Sequence, residues 1–295
     1  MAPVTPPHRS VRTRAAPSAL RHGRLNTAVV YMLLCAAALT VLVPLFWLVS
    51  TAFKPFDEIF AIPPLLLPSS LGLDNLTSVF TSLPFAAMML NSIKIAGLSA
   101  LGQVVSCSMA GYAFARLHFV GRTLLFLVCV ATLLVPYHVT MIPIFAIMKS
   151  LGWVNTHTAL IVPAWLGGGF GIFLMRQFFL TLPEDLEDAG KMDGANPVQI
   201  FGAIILPLAQ PGMTALAIIS FTNAWNDLIG PLIYLTQMEQ MTMTVGLTFF
   251  KGMHGTQWNL LMAGALLSLL PAAVLFFIAQ RHLISGISLS SAIKG

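Results

Sequence analysis

Ionisable side chains are sparse in this sequence, so each one raises a question of chemistry. Asp227 and Lys94 fall inside long apolar stretches, where a charge is costly and tends to face a bundle interior or a cavity. Counted as helix, Asp227 lies fifteen residues past Gly212, roughly 22 Å along the axis, toward the outer end of its span. Lys94 lies near the outer start of another span. Either the two pair at one level, or Lys94 snorkels to the interface and leaves Asp227 a structural or gating role. Neutral donors and acceptors suit a hydroxylated solute. His138, Asn223 and Asn226 are the candidates to line such a path, with hydrogen bonding between helices as their alternative. Trp225 reads either as a platform for a sugar ring or as an interfacial anchor.

Hydrolytic and nucleotide chemistry find no support. The sequence contains no GxxxxGK(S/T), no HExxH and no GxSxG. Any ATP must therefore be bound by another chain. The glycine run from Gly167 to Gly171 neither follows a strand nor carries the P-loop lysine, and reads as a site of close helix packing. Cys35, Cys107 and Cys129 lie in apolar stretches without CxxC spacing, which points to buried thiols, with neither a disulfide nor a metal site.

One stretch stands apart, Thr181 to Pro211, which holds five of the ten acidic residues. Thr181 followed three residues later by Glu184 reads as a capping box, predicting a helix over Leu182–Met192 that Gly194 stops. Asn196, Pro197 and Gln199 repeat the pattern of N-cap, first-turn proline and N3 glutamine, so a second helix starts there and fails before Pro207. Leu182, Leu186, Ala189 and Gly190 share one face of the first helix, bordered by Glu184, Asp185, Glu187, Asp188 and Lys191. Two readings stay open. The segment is either a solvated inter-helix loop, or a docking helix whose small pair Ala189 and Gly190 admits a second backbone while its carboxylates choose a basic partner.

The elements that must position these residues are set by composition. With 57% hydrophobic and 8% charged residues, the chain is far from the roughly 25% charge of soluble domains and reads as an all-α, polytopic membrane helix bundle. Residues 1–25, with five arginines and several prolines, read as a disordered cytoplasmic arm; residues 26–295 form the membrane domain. A signal peptide is the alternative for the start, opposed by the length of the apolar run that follows and the lack of a cleavage site. Six spans are expected: Ala28–Phe53, Met89–Phe114, Leu124–Met148, Thr158–Phe179, Gly212–Tyr234 and Leu260–Ala279, with Pro44 as a candidate kink and an irregular centre at Pro136 to Pro143. The loops Lys54–Ala87 and Thr236–Gln257 then lie outside, the former with a short surface helix. In this arrangement eleven of fifteen Lys and Arg residues fall on the side of both termini and of the acidic stretch, which the positive-inside rule makes cytoplasmic. The net charge of +5 is an orientation signal, with no aromatic-interleaved basic patch for nucleic acid.

Asp188-Ala189-Gly190, three residues, Gly194, nine residues, then Ile204-x-Leu206-Pro207 resembles the EAA loop of ABC importer permeases, with Asp188 in place of the glutamate and Gly190 in place of the second alanine. Asn91-Ser92, the stretch Ala110 to Arg116, Phe173 to Phe179, Trp225-Asn226-Asp227 and the ending Ser291 to Gly295 resemble the carbohydrate-type branch of that family. The resemblance implies a pore subunit, not an enzyme, in the bacterial cytoplasmic (inner) membrane. It implies as partners a homologous second permease, an ABC ATPase dimer and an extracytoplasmic substrate-binding protein, in contact with membrane lipid. This chain would bind no cofactor, and ATP and magnesium would sit on the ATPase. Glu187, Asp188, Ala189, Gly190, Met192, Asp193 and Gly194 would form the ATPase-coupling element, with the loop Thr236–Gln257 meeting the binding protein and the tail Ser290–Gly295 reaching the ATPase. The solute would be a di- or oligosaccharide, a glycerol-phosphate ester or a related osmolyte. A secondary carrier and a non-transporting scaffold are the alternatives.

Overall fold

The computed structural model describes residues 24–252 and 255–292. The expected N-terminal arm therefore lies outside the described residues up to position 23, and Arg24 already opens the first helix, α1 (Arg24–Phe53). Through Trp47 the chain belongs to one unit, and from Leu48 onward to a second.

The segment after α1 is folded, with α2 (Phe56–Ile59) and α3 (Asp74–Ser82). Asn75 Nδ2 donates to the carbonyls of Ala52 at 2.9 Å and Lys54 at 2.8 Å, while its Oδ1 accepts from Asn259 at 2.9 Å. Lys54, expected in a solvated loop, is instead buried, with its ammonium on the Leu65 carbonyl.

The helix α4 (Phe85–Arg116) has 32 residues, about 48 Å at 1.5 Å per residue, well beyond a hydrocarbon core of roughly 30 Å. Next come α5 (Arg122–Ala131), a 3₁₀ turn over Thr132–Leu134, and α6 (Tyr137–Ser150). The two halves meet at 103°. Pro136 causes this, since its ring drives Val135 into the extended region and it has no amide to continue the ladder. The expected irregular centre is thus a sharp bend. α7 (Thr158–Trp165) and α8 (Gly169–Leu180) form one span interrupted at Gly167, whose φ of +80° ends the first helix. Packing of α4 on α8 is close at Gly111, where a Cβ would stand 2.7 Å from Met175 Cβ and 2.9 Å from the Arg176 amide nitrogen.

A corner follows, made of α9 (Asp185–Met192), α10 (Pro197–Gln199), π-helical turns over Ile200–Ile205 and α11 (Leu206–Leu208). α12 (Gln210–Trp225) leaves this corner at 76°. The expected stop before Pro207 is displaced to Ala209, because Pro207 takes a first-turn position where its missing amide costs nothing. The span expected to reach Tyr234 also breaks, at Asn226 to Leu228, before α13 (Ile229–Tyr234). The segment after α13 contains a 3₁₀ turn over Met238–Gln240, α14 (Met243–Thr248) and a minimal hairpin of β1 (Lys251–Gly252) with β2 (Gly255–Thr256). α15 (Trp258–Ala292) is the last described element. The helices α1, α4, α7 with α8, and α15 give four segments long and apolar enough to cross a bilayer, or six if each bent pair is one span.

Two apolar cores sit at opposite ends of α4. Phe85 and Met88 join Trp225, Met243 and Phe250 at one end; Tyr112 and Ala115 join Met175, Phe179, Ile200 and Ile205 at the other. Trp225 is therefore a core residue stacked on Phe221 at 5.5 Å, neither a sugar platform nor an interfacial anchor.

Candidate functional site

The corner containing α9 is built on Arg116, the last residue of α4. Its guanidinium donates to Glu184 Oε1 at 2.8 Å, to the Phe179 carbonyl at 2.8 Å and to the Leu182 carbonyl, and its Nε lies 3.2 Å from Glu187 Oε1. These acceptors come from the end of α8, the connecting turn and the first turns of α9. One cation thus adds a second donor to the Phe179 carbonyl, which already accepts from the Leu182 amide, takes up the Leu182 carbonyl, and fixes the entry of α9. The Tyr112 hydroxyl interacts with the Glu187 carboxylate.

This arrangement corrects the expected capping box. Thr181 Oγ1 donates back to Phe178 at 2.7 Å, Glu184 is turned toward Arg116, and the helix starts at Asp185 with no side-chain cap. It also redistributes the faces of α9. Glu187 and Gly190 are buried, whereas Leu186 and Ala189 are exposed. Burial of a carboxylate in preference to leucine follows from the cation waiting beneath it. Gly190 faces inward: a Cβ there would stand 2.8 Å from Ile204 Cδ1 and 3.2 Å from Ile200 Cγ1. The glycine serves contact within the chain and presents no opening to a partner.

The end of α9 follows the sequence reading. Gly194 has φ +79°, its amide donates to the Lys191 carbonyl at 3.0 Å, and the Ala195 amide donates to the Gly190 carbonyl at 3.0 Å, the two bonds of a Schellman motif. Asn196 and Gln199 form a reciprocal capping box at 2.9 Å in both directions. The outward surface carries Asp188, Ala189, Asp193 and Gly194, with Met192 at 88% and Val198 at 78% exposure. Lys191 Nζ donates to Asp188 Oδ1 at 2.8 Å, which pushes the lysine pKa up. Large apolar side chains rimmed by charge are the composition of an interface core and its border.

The expected polar path is only partly assembled. A cavity of about 680 Å³ lies between α4, α6, α7, α8, α12 and α13, and Asn223 and Asp227 line it. His138 and Asn226 do not; His138 is exposed, and Asn226 Nδ2 donates to the Thr222 carbonyl at 2.9 Å. Lys94 is exposed and makes no ion pair with Asp227, whose Oδ1 accepts from the Gly230 amide at 3.2 Å and caps α13. The sequence reading missed Gln103, Tyr137 and Tyr234 on the cavity wall, because only the bend at Pro136 and the break after Trp225 turn them toward one another.

The segment after α13 closes over α4. The Met243 amide donates to Ser92 Oγ at 2.8 Å in a buried setting, and Asn91 Nδ2 donates to the carbonyls of Glu239 at 2.8 Å and Met241 at 3.1 Å. On the other flank, Asn155 Oδ1 accepts from the amides of Thr236 and Gln237 at 3.0 and 3.1 Å, with Asn155 itself at φ 60°.

Residues 107–289 match the family described as binding-protein-dependent transport system inner membrane component. The chain belongs to this family. It is 34% identical over 255 residues to the arabinooligosaccharides transport system permease protein AraQ of Halalkalibacterium halodurans, covering 85% of this chain and 91% of that one. It is 31% identical over 258 residues to the sn-glycerol-3-phosphate transport system permease protein UgpE of Escherichia coli O1:K1, covering 84% and 90%. Among solved structures it superposes with a TM-score of 0.76 on a chain of a bacterial ABC transporter involved in the import of the acidic polysaccharide alginate, at 21% identity over 90% of this chain and 99% of that one. As a family member, the chain is an inner membrane component of a transport system, and the matched region contains the α9 corner and the cavity wall apart from Ser99 and Gln103.

Proposed function

We propose that this chain is one half of the translocation pore of an ATP-driven importer for sugar or sugar-like solutes. It works beside a homologous second permease, with an ABC ATPase dimer on the cytoplasmic side and a substrate-binding protein outside. Its six spans, with bent α5–α6 as one and α12 continued by α13 as another, sit in the lipid bilayer with both termini and the α9 corner cytoplasmic. ATP and its magnesium bind to the ATPase, and this chain supplies no catalytic group.

The observation that carries the reading is the α9 corner: an exposed apolar pair, Met192 at the end of α9 and Val198 in α10, beside an inner face of α9 that is tied to the end of α4 through Arg116. Seated in a cleft of the ATPase, α9 passes closure of the nucleotide-bound dimer to α4 and α8, and so to the bundle. ATP is then a ligand with different affinity for two states of one assembly. Asp188, Asp193 and the rest of the acidic border choose the register, and Gly194 keeps the exit of α9 tight. The solute class follows from the relatives named for arabinooligosaccharide and glycerol-phosphate transport. The folded outer segment, Thr236–Gln257, is the surface for the binding protein.

Uptake in cells or proteoliposomes carrying all subunits tests the reading. It should stop when ATP is depleted and continue when ion gradients are collapsed. Uptake that follows the ion gradient and ignores ATP would make the chain a secondary carrier.

A further inference from the structure

We infer that the cavity between α4, α6, α8 and α12 is a solute site of this chain itself, built for an uncharged, polyhydroxylated molecule and closed to anions. The inference rests on the importer reading and narrows its solute class.

The size is suitable. About 680 Å³ falls within the roughly 300–1,000 Å³ of small-molecule sites, enough for more than one sugar ring. The wall supplies the two surfaces a sugar presents. Tyr137 and Phe170 offer exposed aromatic surface to C–H surfaces, and Gln103, Asn223 and Asp227 offer polar atoms to hydroxyls. Asn223 is exposed and has no described hydrogen bond within the chain, so its amide is available in both senses.

Charge decides the class. Among the described residues of the wall, Asp227 is the one ionisable group other than tyrosine, and no lysine, arginine or histidine accompanies it. One of its oxygens is engaged by the Gly230 amide, and the other borders the same turn. The start of α8 also faces the cavity through Gly168, Gly169 and Phe170, with no side-chain cap on its first amides. That end carries about half a positive charge, less than the carboxylate opposes, so a phosphate or uronate meets net repulsion in a site with no counter-ion. A hydroxyl both accepts from such amides and donates to a carboxylate. A cation would gain Asp227 but lose against the helix end and the amide donors. The neutral polyol is the class that uses every polar group present.

A charge-selective labelling experiment reads this without knowing the solute. In the complete transporter at pH 7.5, Asn223→Cys is treated with cationic trimethylammonium-ethyl and anionic sulfonato-ethyl methanethiosulfonates, and the modified fraction of residue 223 is followed by peptide mass spectrometry. The expected result is a cation preference of about tenfold, after correction for free-thiol rates, that falls toward one in the Asp227→Asn background. sn-Glycerol 3-phosphate should give no protection. Equal rates for the two reagents, a ratio indifferent to Asp227→Asn, protection by glycerol 3-phosphate, or no labelling by either reagent would each overturn the inference. Binding-protein-stimulated ATP hydrolysis is measured on the parent complex; its absence beside an intact labelling ratio would count against the importer reading and leave the site standing.

Discussion

Arg116 Nε stands 3.2 Å from Glu187 Oε1, and the two side chains keep only 5% and 10% of their surface in solvent. The second carboxylate on the same cation, Glu184, is 82% exposed. This contrast ranks the two contacts. A buried pair broken on one side leaves an uncompensated charge worth about 3–5 kcal/mol, whereas an exposed pair contributes about 0–1 kcal/mol. Arg116→Ala should therefore free α9, raising hydrogen exchange at the amides of residues 187–192 and abolishing most uptake. Glu184→Ala should change both by less than about twofold, in keeping with an exposed pair.

Gly190 stands where the loop pattern that residues 188–207 resemble has its second alanine. The nearest atom to a Cβ there is the mobile end of Ile204, and Ile200 Cγ1 follows at 3.2 Å, so Gly190→Ala needs small shifts of two side chains. That cost, about 1 kcal/mol, is offset by a gain of about 0.8–1 kcal/mol in helix propensity. Gly190→Ala should leave thermal stability and uptake near parental values, whereas Gly190→Leu should lose both. A thermal melt of the purified complex, read beside uptake, checks the pair.

Ser92 holds the segment after α13 through the Met243 amide at 2.8 Å. Ser92→Ala would leave a buried amide without its acceptor, at about 1–3 kcal/mol. The expected outcome is a looser outer segment with weaker stimulation by the binding protein, while basal ATP hydrolysis is unchanged. Titrating ATP hydrolysis against binding protein measures this.

The segment after α1 has its own pH dependence. Glu58 accepts from the Ser69 hydroxyl and, at 3.1 Å, from its amide, and these bonds hold the carboxyl below its ordinary value. A carboxyl depressed on folding contributes stability above its unfolded pKa of 4.5, and that contribution is lost as pH falls through the lower folded value. Limited proteolysis of residues 56–72 should therefore be slow near neutrality and accelerate only below about pH 4.5. Ser69→Ala should accelerate it at neutral pH and make little difference in acid.

Much of this was legible in the sequence. Low charge and apolar run length gave the membrane helices, and the glycine at 194 and the Asn196–Gln199 pair gave both ends of the turn after α9. The Thr181 box was misread because the two residues it needs were better placed elsewhere, Thr181 on the end of α8 and Glu184 on Arg116. Nothing local to residues 181–192 announces a cation sixty-eight positions away from Glu184. The cavity was hidden for a similar reason. Asn223 and Asp227 are visible as polar residues in an apolar run, but His138 and Asn226 look equivalent until the bend at Pro136 and the turn after Trp225 separate wall from surface.

The central claim, that α9 is the joint between this chain and an ATPase, is tested most directly on Met192 and Val198. Both are exposed, so Met192→Asp with Val198→Asp should leave the permease pair folded and inserted. The measurement is the amount of ATPase that co-purifies with the tagged permease pair, taken with uptake by the same cells. The account expects ATPase recovery to fall by at least about tenfold, as loss of an apolar interface core requires, and uptake to disappear. Parental ATPase recovery together with parental uptake in the double variant would contradict it.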